Sequence, residues 1–182
     1  MSVSARARGL IAVGRPLPAA SFDQASAPGR VAWNQGTTAS VIFAPHQGDC
    51  PHCAGYLGQL AEAVAGLRQW ATRAMVVAPV APGGELGAGL AAAAGSGVLV
   101  LADGDGNGRG LLGLADDQAV VVQADRYGAV YEVEAVGPSE SDHFQLPRAE
   151  ALVALAQFID IQCPECGVPS REWMNATPFP LG

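Results

Sequence analysis

The segments Ala39-Ser40-Val41-Ile42-Phe43-Ala44 and, after a short loop, Cys50-Pro51-His52-Cys53 carry the strongest signal in this sequence. The first is a largely apolar run of the kind that forms a strand buried on both faces. Pro51 suits the first turn of a helix, where the N–H that proline lacks has no partner in any case. The sequence therefore predicts a strand that delivers two thiols to the start of a helix. Free backbone N–H groups and the positive end of the helix dipole favour a thiolate there.

This arrangement points to thiol–disulfide chemistry. A thiolate is the reactive form of cysteine, and a second cysteine one turn later can resolve the mixed disulfide that the first one forms. Two alternatives stay open for the pair, namely a structural disulfide and half of a metal site.

Length and composition bound the class of protein. The chain has 182 residues, enough for one domain with a sizeable core. No apolar run approaches the ~20 residues of a membrane span. Two arginines near the N-terminus precede only Leu10 to Val13, too short an apolar stretch for a secretory signal, so we expect a cytoplasmic location. Permanent disulfides are rare there, so four cysteines in two CxxC pairs indicate redox or metal chemistry.

The charge excludes several functions. The net charge is −7, with ten arginines and no lysine, which rules out a catalytic or phosphate-binding lysine. Basic residues do not cluster beyond Arg6 and Arg8, so neither nucleic acid nor a membrane is expected as a partner. The predicted partners are protein or small-molecule disulfides and thiols, with a homodimer left open. No cofactor is predicted.

Residue patterns predict a mixed sheet with helices on both faces. Within residues 14–38, a small hairpin pairs Ser21–Phe22 with Val31–Trp33. Further strands are predicted at Ala74–Ala78, Val98–Leu101, Gln118–Ala124 and Ala129–Val136, and helices at Pro51 to about Trp70, near Glu85–Ala94 and at Pro147–Ile161. Residues 1–162 should form one domain, followed by a proline-rich tail at 163–182 that holds the second CxxC.

These residues resemble the redoxin branch of the thioredoxin superfamily, which includes peroxiredoxin-like proteins of the alkyl hydroperoxide reductase/thiol-specific antioxidant type. The opening Gly14-Arg15-Pro16-Leu17-Pro18, the strand before Cys50, and the turn Asp125-Arg126-Tyr127-Gly128 carry the resemblance over roughly residues 10–160. It implies an α/β, thioredoxin-like three-layer fold and a thiol–disulfide oxidoreductase.

The chain departs from that family at two positions. Thioredoxins place a cis-proline near the position of Ala119, and peroxidatic members carry an arginine near this place and a threonine or serine at the position of Gln47. Those groups would bind and polarise a peroxide, so efficient peroxidase activity is not expected here. Arg109 or Arg126 could take the role of the missing peroxide-binding arginine only if the fold brought one of them close to Cys50.

The predicted catalytic residues are Cys50, Cys53 and His52. Cys50 should be the more exposed thiol and the nucleophile, and Cys53 the resolving thiol. His52 should either hydrogen-bond the Cys50 thiolate or place positive charge beside it. Alternatively, His52 is a solvent-exposed residue with no effect on the thiol. Asp49 should oppose ionisation of Cys50.

Metal binding is the competing hypothesis. His46, Cys50, His52 and Cys53 form a cluster of soft ligands for zinc or copper, although two thiols at a helix start offer poor tetrahedral geometry.

The second pair, Cys163-Pro164-Glu165-Cys166-Gly167, has the shape of a zinc knuckle, which is half a site. The last helix should carry it ~22 Å away from the first pair, so a local, non-catalytic role is the default. The alternative function is thus a metal-binding or redox-sensing interaction protein on the same fold.

Overall fold

The computed structural model describes residues 9–25, 27–33, 38–79 and 82–161. Their strands are β1 Ser21–Gln24, β2 Arg30–Ala32, β3 Ala39–Ala44, β4 Thr72–Ala78, β5 Leu99–Ala102, β6 Ala119–Ala124 and β7 Val130–Val136. Their helices are α1 Pro51–Gln69, α2 Gly84–Gly95, α3 Asn107–Leu112, α4 Glu140–His143 and α5 Ala149–Ile161. Cys163 and Cys166, with the tail predicted at 163–182, lie outside the described residues.

The strands form one mixed sheet in the order β2-β1-β5-β4-β3-β6-β7. β3, β4 and β5 run parallel, whereas β1 is antiparallel to β5 and β6 is antiparallel to both β3 and β7. In the β1–β2 hairpin, Ser21 pairs with Ala32 and Phe22 with Val31. The predicted mixed sheet and N-terminal hairpin are therefore confirmed.

The core lies on both faces of the sheet, because β3 is central and all its residues are buried. Val41 and Phe43 face a cluster that includes α1, α2 and α5. Ile42 and Ala44 face the opposite cluster, which includes Trp33 and Leu112 of α3. This places helices on both faces and gives the three layers that the sequence predicts.

Gly66 explains how α1 tolerates its glycines. A Cβ at this position would lie 2.8 Å from a methyl carbon of Val153 on α5. The residue that lowers helix propensity thus permits close packing of two helices, and the packing offsets the cost.

Two helices escaped the sequence prediction. Helix α3 follows the glycine-rich stretch after Asp103, whose carboxylate accepts hydrogen bonds from the backbone of Gly108 and Arg109 at 2.8 and 3.1 Å. Helix α4 begins with a capping box between Ser139 and Asp142.

The β6–β7 hairpin determines what lies near the cysteines. Val120 pairs with Ala44 at the end of β3, and Val136 pairs with Ala119. The chain therefore leaves β7 at the same edge of the sheet from which it enters α1. Within the described residues, no helix is both long and apolar enough to cross a membrane.

Candidate active site

The two thiols of the first CxxC lie at the start of α1. Cys50 is the N-cap residue, in extended conformation with no capping hydrogen bond from its side chain, and Pro51 opens the helix. Both cysteines are free thiols. Cys50 is 9% exposed and Cys53 is 0% exposed. Cys50 is thus the more accessible sulfur, as the sequence predicts.

His46 faces the inner thiol. Its Nδ1 lies 3.1 Å from Cys53 Sγ, and its Nε2 lies 3.3 Å from the carbonyl oxygen of Val136. A carbonyl only accepts hydrogen bonds, so this network assigns the proton to Nε2 and leaves a lone pair on Nδ1. Burial lowers the pKa of His46, and the nearby His143 and Arg109 lower it further. The ring is therefore neutral at pH 7.

His143, on α4, faces both thiols. Its Nε2 lies 3.5 Å from Cys53 Sγ and 4.0 Å from Cys50 Sγ. Its Nδ1 lies 2.9 Å from the carbonyl oxygen of Ser139. By the same reasoning Nδ1 donates to that carbonyl, and Nε2 is the ring nitrogen that faces the sulfurs. Sequence reasoning missed this residue. The Ser139-x-x-Asp142 capping box could have located its helix, but not its position beside the cysteines.

His52 does not make the contact predicted for it. Within the part of the chain that the structure describes, its ring forms no hydrogen bond with either sulfur, and its centroid lies 5.3 Å from that of His143. As the second residue of α1 it stands beside the thiols, whereas His143 reaches them from a separate element. Of the two roles predicted for His52, the hydrogen bond to Cys50 is not found among the described residues, where His143 contacts the sulfur instead. Positive charge from His52 beside the thiol stays a prediction.

The inner thiol is held in its protonated form. Burial is the main factor that raises the pKa of Cys53, and the proximity of Cys50 raises it further. The backbone N–H of His46, 3.5 Å from Cys53 Sγ, and the charge of Arg109 act in the opposite direction but do not outweigh burial. Attack from Cys53 consequently needs a base, and Nδ1 of His46 is in place.

Arg109 fixes the loop that precedes the cysteines. Its side chain is 3% exposed and donates hydrogen bonds to the carbonyl oxygen of Pro45 and to those of Ala115 and Gln118, at 2.7 and 2.9 Å. Burial lowers its pKa, although nearby acidic groups oppose this. Because both of its terminal nitrogens are bonded to carbonyls, Arg109 is not a free cation for binding peroxide.

Ala119 and Arg126, which were also considered for peroxide binding, do not supply a donor beside Cys50 either. Ala119 is fully buried in the same cluster as both cysteines. Arg126 lies in the turn after Ala124, which pairs with Ser40 at the opposite end of β3 from Cys50. Its guanidinium lies 5.3 Å from the centre of the Tyr127 ring.

Asp49 caps a neighbouring helix. Its carboxylate accepts a hydrogen bond from the backbone N–H of Leu86 at 2.9 Å, in the first turn of α2. Gly84 permits this approach, because it has a φ of +57° and a Cβ there would lie 1.8 Å from the carboxylate. The positive end of α2 therefore offsets part of the negative charge that was expected to oppose ionisation of Cys50.

A cavity of about 520 Å³ opens in front of Cys50. It is lined by His46, Gln47, Asp49, Cys50, Pro51, His52, Asp116, Asp117 and Pro138. Asp49, Asp116 and Asp117 form what we call the acidic rim. The opening thus places Cys50 in a cavity with three acidic side chains around it.

The predicted soft-ligand cluster is present with one change of member. The ligand atoms of His46, Cys50, Cys53 and His143 all lie within 4.8 Å of one another. His143 takes the place that the sequence assigned to His52.

No protein-family model matches this chain, and no curated protein matches it. Solved structures do match. A thiol:disulfide interchange protein DsbE from Chlorobium tepidum is 19% identical, with a TM-score of 0.62 over 81% of this chain and 99% of that chain. Reduced Prx3 from Vibrio vulnificus, in complex with hydrogen peroxide, is 22% identical, with a TM-score of 0.62 over the same shares. Peroxidoxin BcpB from Mycobacterium tuberculosis is 12% identical, with a TM-score of 0.60 over 81% of this chain and 97% of that chain. The architecture and these matches together show that the chain has a thioredoxin-like α/β fold.

Proposed function

We propose that this chain is a thiol–disulfide oxidoreductase whose redox-active pair is Cys50 and Cys53. One observation carries the proposal. The two thiols stand at the start of α1, and each is approached by an imidazole nitrogen whose partner nitrogen is bonded to a backbone carbonyl. A proton acceptor is thus already oriented toward the sulfurs before substrate arrives.

In the first step Cys50 attacks the substrate disulfide. Nε2 of His143, 4.0 Å away, accepts the thiol proton, and the Cys50 sulfur forms a bond with one substrate sulfur. The bond between the two substrate sulfurs breaks, and the second one leaves as a thiolate that takes up a proton. The product is a mixed disulfide between Cys50 and the substrate.

In the second step Cys53 resolves the mixed disulfide. Its proton passes to Nδ1 of His46, and its sulfur attacks Cys50 Sγ while the remaining substrate sulfur leaves as a thiolate. The protein ends with a Cys50–Cys53 disulfide, and the substrate has gained two electrons. An external dithiol then restores the reduced protein, and the same steps in reverse oxidise a substrate.

The histidines should set the reduction potential of the pair. A proton held on His143 stabilises the adjacent thiolate, hence the reduced form, so His143→Ala should make the couple more reducing by about 30 mV or more, a tenfold change in equilibrium. His52→Ala should shift it in the same direction by less, because His52 acts only through its charge. Equilibration with glutathione, in the presence of a zinc chelator, measures both. A larger shift for His52→Ala would contradict the assignment, and a shift below about 10 mV would leave His52 without a catalytic role.

Disulfides, rather than peroxides, are the proposed substrates. Ala119 and Gln47 offer neither of the polarising groups of a peroxidase, and Arg109 is bonded to carbonyls.

We expect reduced protein to reduce a protein disulfide rapidly in the presence of excess dithiol, and to react with hydrogen peroxide no faster than a free thiolate. Stopped-flow tryptophan fluorescence or mass spectrometry follows both reactions. A peroxide rate thousands of times that of glutathione would make the protein a peroxidase instead. A cytoplasmic location belongs to the same proposal.

A further inference from the structure

We propose that the reduced protein binds one zinc ion between Cys50, Cys53, His46 and His143. The ion would join two thiolates at the start of α1 to one imidazole from the preceding loop and one from α4. This inference uses the same sulfurs as the proposed oxidoreductase activity, but it does not depend on that activity.

The distances match a tetrahedral zinc site. Zinc bonds of about 2.3 Å to sulfur and about 2.0 Å to nitrogen place tetrahedral ligand atoms about 3.3 to 3.8 Å apart. Three of the four nitrogen–sulfur distances in the cluster are 3.1, 3.5 and 4.0 Å. All four ligand atoms lie within 4.8 Å of one another, so side-chain shifts of about 1 Å would bring them to the tetrahedral separations.

Both histidines are already held as metal ligands are. A histidine that binds zinc almost always donates its other N–H to a carbonyl or carboxylate, which fixes the tautomer and the ring. Nε2 of His46 meets the carbonyl of Val136, and Nδ1 of His143 meets the carbonyl of Ser139. Each ring therefore turns a lone pair toward the sulfurs, which is an arrangement that a purely structural histidine does not need.

The donor set fits zinc and disfavours hard cations. Two thiolates and two imidazoles are the ligands of a closed, four-coordinate zinc site, whereas magnesium and calcium require oxygen ligands. Two thiols at a helix start were expected to offer poor tetrahedral geometry. His143, which comes from a separate element, supplies the direction of approach that α1 alone lacks.

Zinc and disulfide chemistry are mutually exclusive at this site. Binding releases the two thiol protons and occupies both sulfurs, so Cys50 can no longer attack. In the oxidised protein the sulfurs are bonded to each other, and no thiolate remains for the metal. Zinc would thus hold the reduced protein in an inactive form.

The test uses the full chain with Cys163→Ser and Cys166→Ser, which removes the second thiol pair as a ligand. Reduced protein is titrated with zinc against a chromophoric chelator, and with cobalt(II), whose absorption reports tetrahedral geometry and thiolate ligands. We expect one equivalent of metal. His143→Ala should lower the zinc affinity at least tenfold, whereas the matched variant His52→Ala should change it less than about threefold.

A second measurement needs no substitution in the cluster. The same protein with a Cys50–Cys53 disulfide should bind zinc at least a hundredfold more weakly than the reduced form. The proposal is overturned if reduced protein takes up no zinc, if His143→Ala and His52→Ala have equal effects, or if oxidation leaves the affinity unchanged. Disulfide reduction assayed in chelator reports separately on the oxidoreductase, so failure of one proposal is distinguishable from failure of the other.

Discussion

Cys50→Ser is expected to abolish dithiol-driven disulfide reduction, whereas Cys53→Ser should stop the reaction at a mixed disulfide with the substrate. Cys50 is the thiol at the mouth of the cavity, and Cys53 is fully buried behind it with a raised pKa. Without Cys50 the thiol that remains among the described residues is Cys53, which is fully buried and cannot open the substrate disulfide. Without Cys53 the first exchange still occurs, but no neighbouring thiol displaces the product.

Non-reducing electrophoresis and mass spectrometry of the two variants after mixing with a protein disulfide distinguish these outcomes. A covalent adduct that accumulates with Cys53→Ser, and is absent with Cys50→Ser, establishes the order of the two sulfurs. Accumulation with Cys50→Ser instead would reverse their roles. Turnover by Cys50→Ser would remove the first CxxC from the chemistry altogether.

Arg109→Ala should lower the free energy of unfolding by about 3–5 kcal/mol, a large share of the stability of a domain. The guanidinium is buried and bonds the carbonyls of Pro45, Ala115 and Gln118. Alanine would leave three carbonyl oxygens without this donor and would leave a void. Arg109→Lys should recover only part of the loss, because an ammonium group lacks the planar fork that reaches several carbonyls.

Urea denaturation of the reduced proteins measures the effect. Arg68→Ala is the matched control, because Arg68 is exposed and donates one long hydrogen bond of 3.4 Å to the carbonyl of Gly97. Its effect should stay within about 0.5 kcal/mol. Equal losses for the two variants would show that the buried network around Arg109 contributes nothing beyond an ordinary surface arginine.

The sequence predicts well what local pattern determines. The apolar run of β3, the helical spacing after Pro51 and the turn at Asp125 each act within a few residues, so their elements appear where expected. Helix α3 does not follow from local propensity. Its glycines disfavour a helix, and its formation depends on the Asp103 cap and on Gly108, where a Cβ would lie 2.8 Å from Val77 and 2.9 Å from Phe22.

The candidate site also combines residues that local sequence reveals with residues that only the tertiary structure brings together. Cys50 and Cys53 are visible in the sequence because they belong to one motif. His143 is about ninety residues away, and only the register of β6 against β3 and β7 brings it to the thiols. His52 is adjacent to both cysteines in sequence, yet its ring makes no hydrogen bond to their sulfurs among the described residues. Proximity along the chain therefore does not identify the imidazole that contacts Cys50, whereas an effect of His52 through its charge stays a prediction.

The acidic rim of Asp49, Asp116 and Asp117 affects how fast a charged partner approaches the cavity, which precedes any exchange of sulfur. Three carboxylates around one opening, on a chain of net charge −7, speed the diffusional encounter with cationic partners and slow it for anionic ones. Oxidised glutathione carries net negative charge, so it collides less often with this opening than a disulfide flanked by lysines or arginines. The discrimination extends only about 8 Å at physiological ionic strength. A thiol–disulfide oxidoreductase with this opening would sort its partners by the charges beside the disulfide, at the stage of approach rather than of bond formation.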